Sequence, residues 1–161
     1  MIDRACADEQ PTQIEMPRIM EMIPHRHPFL MIDRVVDAVA DKRATGVKDV
    51  SPDEYYFKGH FPARPVMPGV LIIEAMAQTA AVLVVHTLGR ESEGKLVYFM
   101  SIDKAKFRKP VLPGDRVEFH MTKTNRRRNM WWYSGRAMVD GALVCEAEIA
   151  AMIAEEDRVK T

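Results

Sequence analysis

From residue 70 to residue 88 the chain carries one charged side chain, Glu74, and neither a proline nor a glycine. Pro68-Gly69 stands before this run and Gly89 after it, a start and a stop for a helix. A helix of that length reaches about 30 Å. It is apolar nearly all round, so other structure has to wrap it. Glu74, Gln78 and His86 interrupt the apolar surface, which makes a poor membrane span and a good core helix. The chain must therefore fold around one long enclosed helix.

The rest of the sequence supplies the wrapping. Residues 30–39 and 43–50 are rich in Val and Ile and read as strands, with Asp41-Lys42 as the turn between them. Residues 95–109, 115–124, 130–139 and 142–153 read as four more, separated by Pro113-Gly114, by residues 125–129 and by Asp140-Gly141. Asp-Gly between two strands is a strong two-residue hairpin signal, and the last three strands are expected to form an antiparallel meander. A short helix, residues 18–22, is expected after Pro17. The expected class is α+β, a long helix lying on a curved antiparallel sheet. At 161 residues the chain suits one domain. We expect a loose arm over residues 1–16, the domain over 17–155 and a tail over 156–161.

Charge narrows the function. Lys+Arg and Asp+Glu are both 23, so the chain is neutral. Binding to nucleic acid or to a membrane surface usually needs a basic excess. A neutral chain also has little charge repulsion to oppose self-association. Cys6 and Cys145 have no metal-ligand spacing and make no disulfide framework. Residues 1–15 lack the apolar core of a signal peptide. Both features predict a cytoplasmic protein with reduced thiols.

Residues 51–69 hold four prolines and two glycines, and an irregular stretch of that length in a compact domain usually carries function. Within it, Gly59-His60-Phe61-Pro62 can hold one imidazole in a fixed direction, the glycine permitting an unusual backbone angle and the proline limiting the chain. Glu74 needs a partner or a proton, because an unpaired buried carboxylate is expensive. Protonated, it is a general acid near neutral pH. Pro68-Gly69-Val70 points free backbone N–H groups out of the positive end of the helix, where an oxyanion fits. Taken singly, a loop histidine is a common hydrogen-bonding fixture and a buried glutamate is often structural. Taken together, the three make an oxyanion site, an acid and a base.

The stretch from Gly59-His60-Phe61-Pro62 through Pro68-Gly69-Val70 to Glu74-Ala75-Met76-Ala77-Gln78 resembles the signature of the (3R)-hydroxyacyl-[acyl carrier protein] dehydratases of bacterial type II fatty acid synthesis. Pro24-His25-Arg26-His27-Pro28-Phe29-Leu30, Asp33-Arg34, Tyr98-Phe99-Met100-Ser101-Ile102-Asp103-Lys104 and Pro113-Gly114-Asp115 match as well. The likeness runs from about residue 18 to residue 155. It implies a hot-dog fold and dimers, three to a homohexamer, in which His60 of one subunit faces Glu74 of the other. It implies a substrate carried on acyl carrier protein, no cofactor or metal, and a place in fatty acid and lipid A biosynthesis. By the same likeness, the Gly69 N–H holds the thioester carbonyl, Tyr98 gates an acyl tunnel and Gln78 orients Glu74.

The expected reaction is elimination of water. His60 takes the C2 proton, the N–H groups of Gly69 and Val70 hold the enolate oxygen, and Glu74 protonates the departing C3 hydroxyl. Phe61, Met67, Ile73, Ala77, Ala81 and Tyr98 are candidates for the apolar slot, though plain core is an equal reading for the aliphatic ones.

Other signals are weaker. Residues 125–129 with Trp131 and Trp132 read as a solvated hairpin turn rather than a nucleic-acid surface. A basic patch for an acidic carrier protein is a middle reading, with Arg126, Arg127 and Arg128 joined by Lys104, Lys106, Arg108 and Lys109 as candidates. His25 and His27 lack a third metal ligand nearby and read as loop fixtures. A related dehydratase that also isomerises its product has aspartate at the position of Glu74. A hot-dog thioesterase is disfavoured by Gly-His-Phe-Pro, and a non-catalytic carrier-binding protein by the presence of both His60 and Glu74.

Overall fold

The computed structural model describes residues 10–154. The expected helix is α2, Gly69–Leu88, and it is buried along most of its length. By length and composition alone it could cross a membrane; here the sheet covers it. Gly89, at φ 91°, ends it, with its N–H on the Val85 carbonyl at 2.8 Å.

Around α2 curve seven antiparallel strands: β1 Thr12–Glu15, β2 Arg34–Val39, β3 Arg43–Asp49, β4 Val97–Phe107, β5 Arg116–Arg127, β6 Met130–Val139 and β7 Ala142–Ile153. Their spatial order is β1-β2-β3-β5-β6-β7-β4. A short helix α1, Met16–Met22, links β1 to the loop before β2. This is the α+β hot-dog arrangement, and the β5-β6-β7 meander is as expected.

Alternation decides which face meets the helix. Val117, Phe119 and Met121 of β5, with Trp131, Tyr133 and Ala137 of β6, point inward and are buried. Two glycines set the distance between sheet and helix. A Cβ on Gly46 would strike the Thr79 hydroxyl, and one on Gly135 would lie 2.9 Å from the Met76 sulfur. A side chain at Gly46 would push α2 off the sheet, while one at Gly135 would make the flexible Met76 and Met121 side chains give way.

The Asp140-Gly141 turn has φ of 48° and 76°, the left-handed pair that a two-residue hairpin needs. The β5–β6 turn is tighter than the sequence suggests. β5 continues to Arg127, and only Arg128-Asn129 turn. Trp131 packs inward there, the Arg126 guanidinium lies 4.2 Å over its ring, and the two residues pair in register, which extends the ladder. At the N-terminus, part of the expected arm is ordered structure: residues 12–15 are β1, paired with β2 because Ile14 is buried against it, and the short helix begins at Met16 rather than Arg18. Residues 1–9 of the arm, with Cys6, and the tail lie outside the described residues.

β4 is an edge strand, as β1 is on the other side of the sheet. Among the described residues it pairs with β7 alone, and Tyr98, Phe99, Met100, Ile102 and Phe107 are all exposed. A long apolar edge strand with an unpaired backbone is a template for a further strand.

Candidate active site

His60 follows a single 3₁₀ turn, Tyr55–Lys58, and its N–H bonds the Tyr56 carbonyl at 3.0 Å. The chain then doubles back, and the Val66 N–H bonds the His60 carbonyl at 2.9 Å. This brings the Val66 carbonyl within 2.7 Å of the His60 Nδ1. A carbonyl only accepts, so Nδ1 carries the proton and Nε2 is left with a free lone pair. The Phe61 ring stacks on the imidazole with centroids 4.1 Å apart. The loop is held from behind by the Met67 N–H on the Val111 carbonyl, 2.8 Å.

The start of α2 opens on the same cleft, about 510 Å³, lined by His60, Met67, Gly69, Val70, Phe107 and Lys109 among others. Pro68 caps the helix without a side-chain hydrogen bond. The N–H groups of Gly69 and Val70 have no carbonyl to bond within the helix, and Val70 is 71% exposed. The Phe107 ring lies directly over Gly69, since a Cβ there would be 2.6 Å from a ring carbon. A free imidazole nitrogen and helix N-terminal donors thus share one apolar-walled space, which suits proton removal next to a carbonyl that gains negative charge.

Glu74 lies elsewhere. It lines a small cavity of about 40 Å³ with His25, Ala77, Gln78, Ala81 and Phe99. Its side chain is 16% exposed. Burial pushes its pKa above the usual carboxylate range, partly opposed by the hydrogen bond from Gln78. Gln78 is fixed on three sides: its amide nitrogen donates to Glu74 Oε1 at 3.1 Å and to the Phe29 carbonyl at 2.9 Å, and its oxygen accepts the Met31 N–H at 2.7 Å. Its contact with Glu74 agrees with the spacing of one helical turn. His25 Nε2 stands 3.5 Å from the same Oε1. The sequence reads His25 as a loop fixture, and nothing in its local pattern brings it against a residue so far along the chain.

The expected constellation is thus divided within one chain. His60 and Gly69 share a cleft, while Glu74 faces a different one. The slot candidates divide the same way: Met67 lines the His60 cleft, Ala77 and Ala81 line the Glu74 cavity, and Ile73 is core in neither lining. Phe61 is exposed, and Tyr98 is exposed at the far end of β4. The basic candidates also separate. Arg108 and Lys109, just past the end of β4, rim the His60 cleft; Lys104 and Lys106 lie exposed on β4 itself. Arg127 is level with Tyr98 across the sheet, by the pairs Arg127–Met130, Met130–Met152 and Met152–Tyr98. That places residues 126–128 at the other end of β4, about 30 Å from Arg108. Cys145 is buried and its thiol is pushed up to about 11, which makes it a poor nucleophile.

Comparison with known proteins gives the family. A family model described as a FabA-like domain matches residues 23–148. A 3-hydroxyacyl-[acyl-carrier-protein] dehydratase FabZ of Paramagnetospirillum magneticum is 61% identical over 89% of each chain. Its counterpart in Rhodospirillum rubrum is 56% identical over 91% of each. Among solved structures, the dehydratase heterocomplex ApeI:P from Xenorhabdus doucetiae has a TM-score of 0.72 at 17% identity, covering 86% of this chain and 91% of that one, and at that identity it supports the fold alone. On the match over most of its length and the identity to these relatives, the chain belongs to the FabA-like domain family and, within it, to the 3-hydroxyacyl-[acyl-carrier-protein] dehydratases.

Proposed function

We propose that the protein dehydrates a (3R)-hydroxyacyl group on acyl carrier protein to the trans-2-enoyl group, in fatty acid biosynthesis. The observation that carries the chemistry is that His60, its Nδ1 held by the Val66 carbonyl, lines the same cleft as Gly69 and Val70 at the helix start. In the forward step His60 takes the C2 proton and the thioester oxygen gains charge, held by the helix N-terminus. A preorganised donor of this kind is worth roughly 3–4 kcal/mol. The C3–O bond breaks as Glu74 gives its proton to the hydroxyl, and water leaves. One proton is taken and one given, and their return through solvent resets the pair.

The acid and base meet, in this reading, across a dimer. Three observations support it: His60 and Glu74 open on separate clefts, β4 offers an unpaired apolar edge, and the chain has no net charge to oppose pairing. Dimers assembling to a homohexamer, a gating role for Tyr98, a cytoplasmic location and a contribution to lipid A biosynthesis belong to the same proposal. Of the basic groups, Lys104, Lys106 and Arg108 suit an acidic carrier protein best, because Arg108 rims the cleft that would receive the thioester.

The test is conversion of a 3-hydroxyacyl thioester to the trans-2-enoyl product. His60→Ala and Glu74→Gln should each lower turnover by about 10²–10⁴-fold. Near-normal turnover in either folded variant would remove that residue from the assignment.

A further inference from the structure

We propose that His25 is a positioning residue for Glu74: its Nε2–H joins the Gln78 amide in donating to Oε1, which leaves Oε2 as the oxygen that bears the transferable proton. The proposal rests on the dehydration reading above and assigns the acid's geometry within it.

A neutral imidazole has one N–H to place. Nδ1 of His25 is buried without a hydrogen-bond partner among the described residues, and Nε2 faces Glu74 Oε1 at 3.5 Å. A proton on Nδ1 would leave a buried donor unpaired and set the Nε2 lone pair against a carboxyl oxygen. A proton on Nε2 leaves only an unpaired acceptor, the less costly defect. The remaining option, Oε1–H donating to Nε2, again puts the ring proton on Nδ1, where it has no partner among the described residues. The 3.5 Å separation is long for a hydrogen bond, and a shift of a few tenths of an ångström closes it.

The surroundings favour a neutral ring. Burial and the adjacent Arg26 charge both pull His25 below the ordinary histidine range. Arg26 is the charged group beside it on the loop, while Val97, Phe99 and Ala151 of the opposing strands are apolar. The loop itself is built to hold the ring. The Arg26 guanidinium donates to the carbonyls of Met20, Ile23 and His25 at 2.8–2.9 Å, and Gln78 ties Phe29 and Met31 of the same loop to α2. The loop and α2 therefore each bring one N–H donor toward the same oxygen of the acid.

The test compares His25→Ala, His25→Gln and His25→Asn in the full-length protein. A Gln amide nitrogen reaches the place of Nε2, whereas that of Asn reaches the place of Nδ1. With a 3-hydroxyacyl thioester, Ala and Asn should each lower kcat about tenfold with KM unchanged, and Gln should restore most of it. A second readout needs no turnover. Carbon NMR of labelled glutamate, with the Glu74 signal assigned by its loss in Glu74→Gln, should show Glu74 titrating at higher pH in Ala and Asn than in wild type, because a donor to its charged form is gone. A higher pKa leaves more of the acid protonated but makes it a weaker donor, so only a fall in kcat larger than the titration shift accounts for reads positioning. The proposal is overturned if the Glu74 titration is the same in all four proteins, or if Asn restores kcat as well as Gln. A wild-type protein without dehydratase activity would sink the dehydration reading instead, and the titration would still decide the contact.

Discussion

At the scale of single residues, the site depends on atoms with nowhere else to go. Gly69 is the sharpest case, because the Phe107 ring leaves no room for a Cβ. Gly69→Ala should keep the fold and lower kcat about 10²-fold, as loss of an oxyanion donor does. Gly69→Ala with Phe107→Ala should recover part of the loss in the same assay; no recovery would mean that the ring is not what the methyl displaces. Glu74 gives a second expectation. Its folded-state pKa is raised by burial, so the native state holds the proton more tightly than the unfolded chain does. Stability from this group is therefore full at acid pH and is lost as pH rises from the ordinary carboxylate range toward the raised value. Thermal melts of Glu74→Gln should show a higher Tm than wild type at pH 7, the gap closing as pH is lowered. A gap that stays constant with pH would mean that Glu74 is not strained by burial. The acid the site needs is in this sense held at a cost to the fold.

At the scale of elements, much was legible because local chemistry and global fold agree. The apolar run between Pro68 and Gly89, the Asp140-Gly141 turn and the alternation in β5 and β6 each point to the structure adopted. Where reading failed, a tertiary contact had overridden local composition. Arg and Asn between residues 125 and 129 look like loop, yet Trp131 buries itself and keeps β5 paired to Arg127. Residues 12–15 look like arm, yet Ile14 finds the core. The site divides in the same way. His60, Gly69 and Glu74 stand out by spacing, but His25 reaches Glu74 only because the loop folds back on α2. Close approach of helix and sheet gives this scale its prediction. Gly46→Ala should destabilise by about 1–3 kcal/mol in denaturant unfolding. Thr79→Ala, which removes the facing hydroxyl, should make that cost smaller in the double variant than the sum of the singles. Simple additivity would mean that Gly46 and Thr79 are not in contact.

At the scale of the whole molecule, one chain holds the proposed base and the proposed acid in separate cavities. The base and the oxyanion donors face one cleft and the acid another, and the strand beside both, β4, ends the sheet with its apolar side chains in solvent. If two copies complete each other, an inactive His60→Ala chain and an inactive Glu74→Gln chain carry complementary defects. A mixed dimer then has one centre with both defects and one with neither. Co-expressing the two, or mixing them under conditions that exchange subunits, should restore turnover to the share set by random pairing, while each alone stays silent. Ile102→Lys, a charge on the exposed edge of β4, should shift the protein toward monomer in sedimentation and abolish both wild-type activity and the rescue, with the circular dichroism of the fold kept. Recovery in the mixture that survives this substitution would place the contact elsewhere than β4. No recovery at all, from folded and associated chains, would mean that acid and base belong to the same subunit after all.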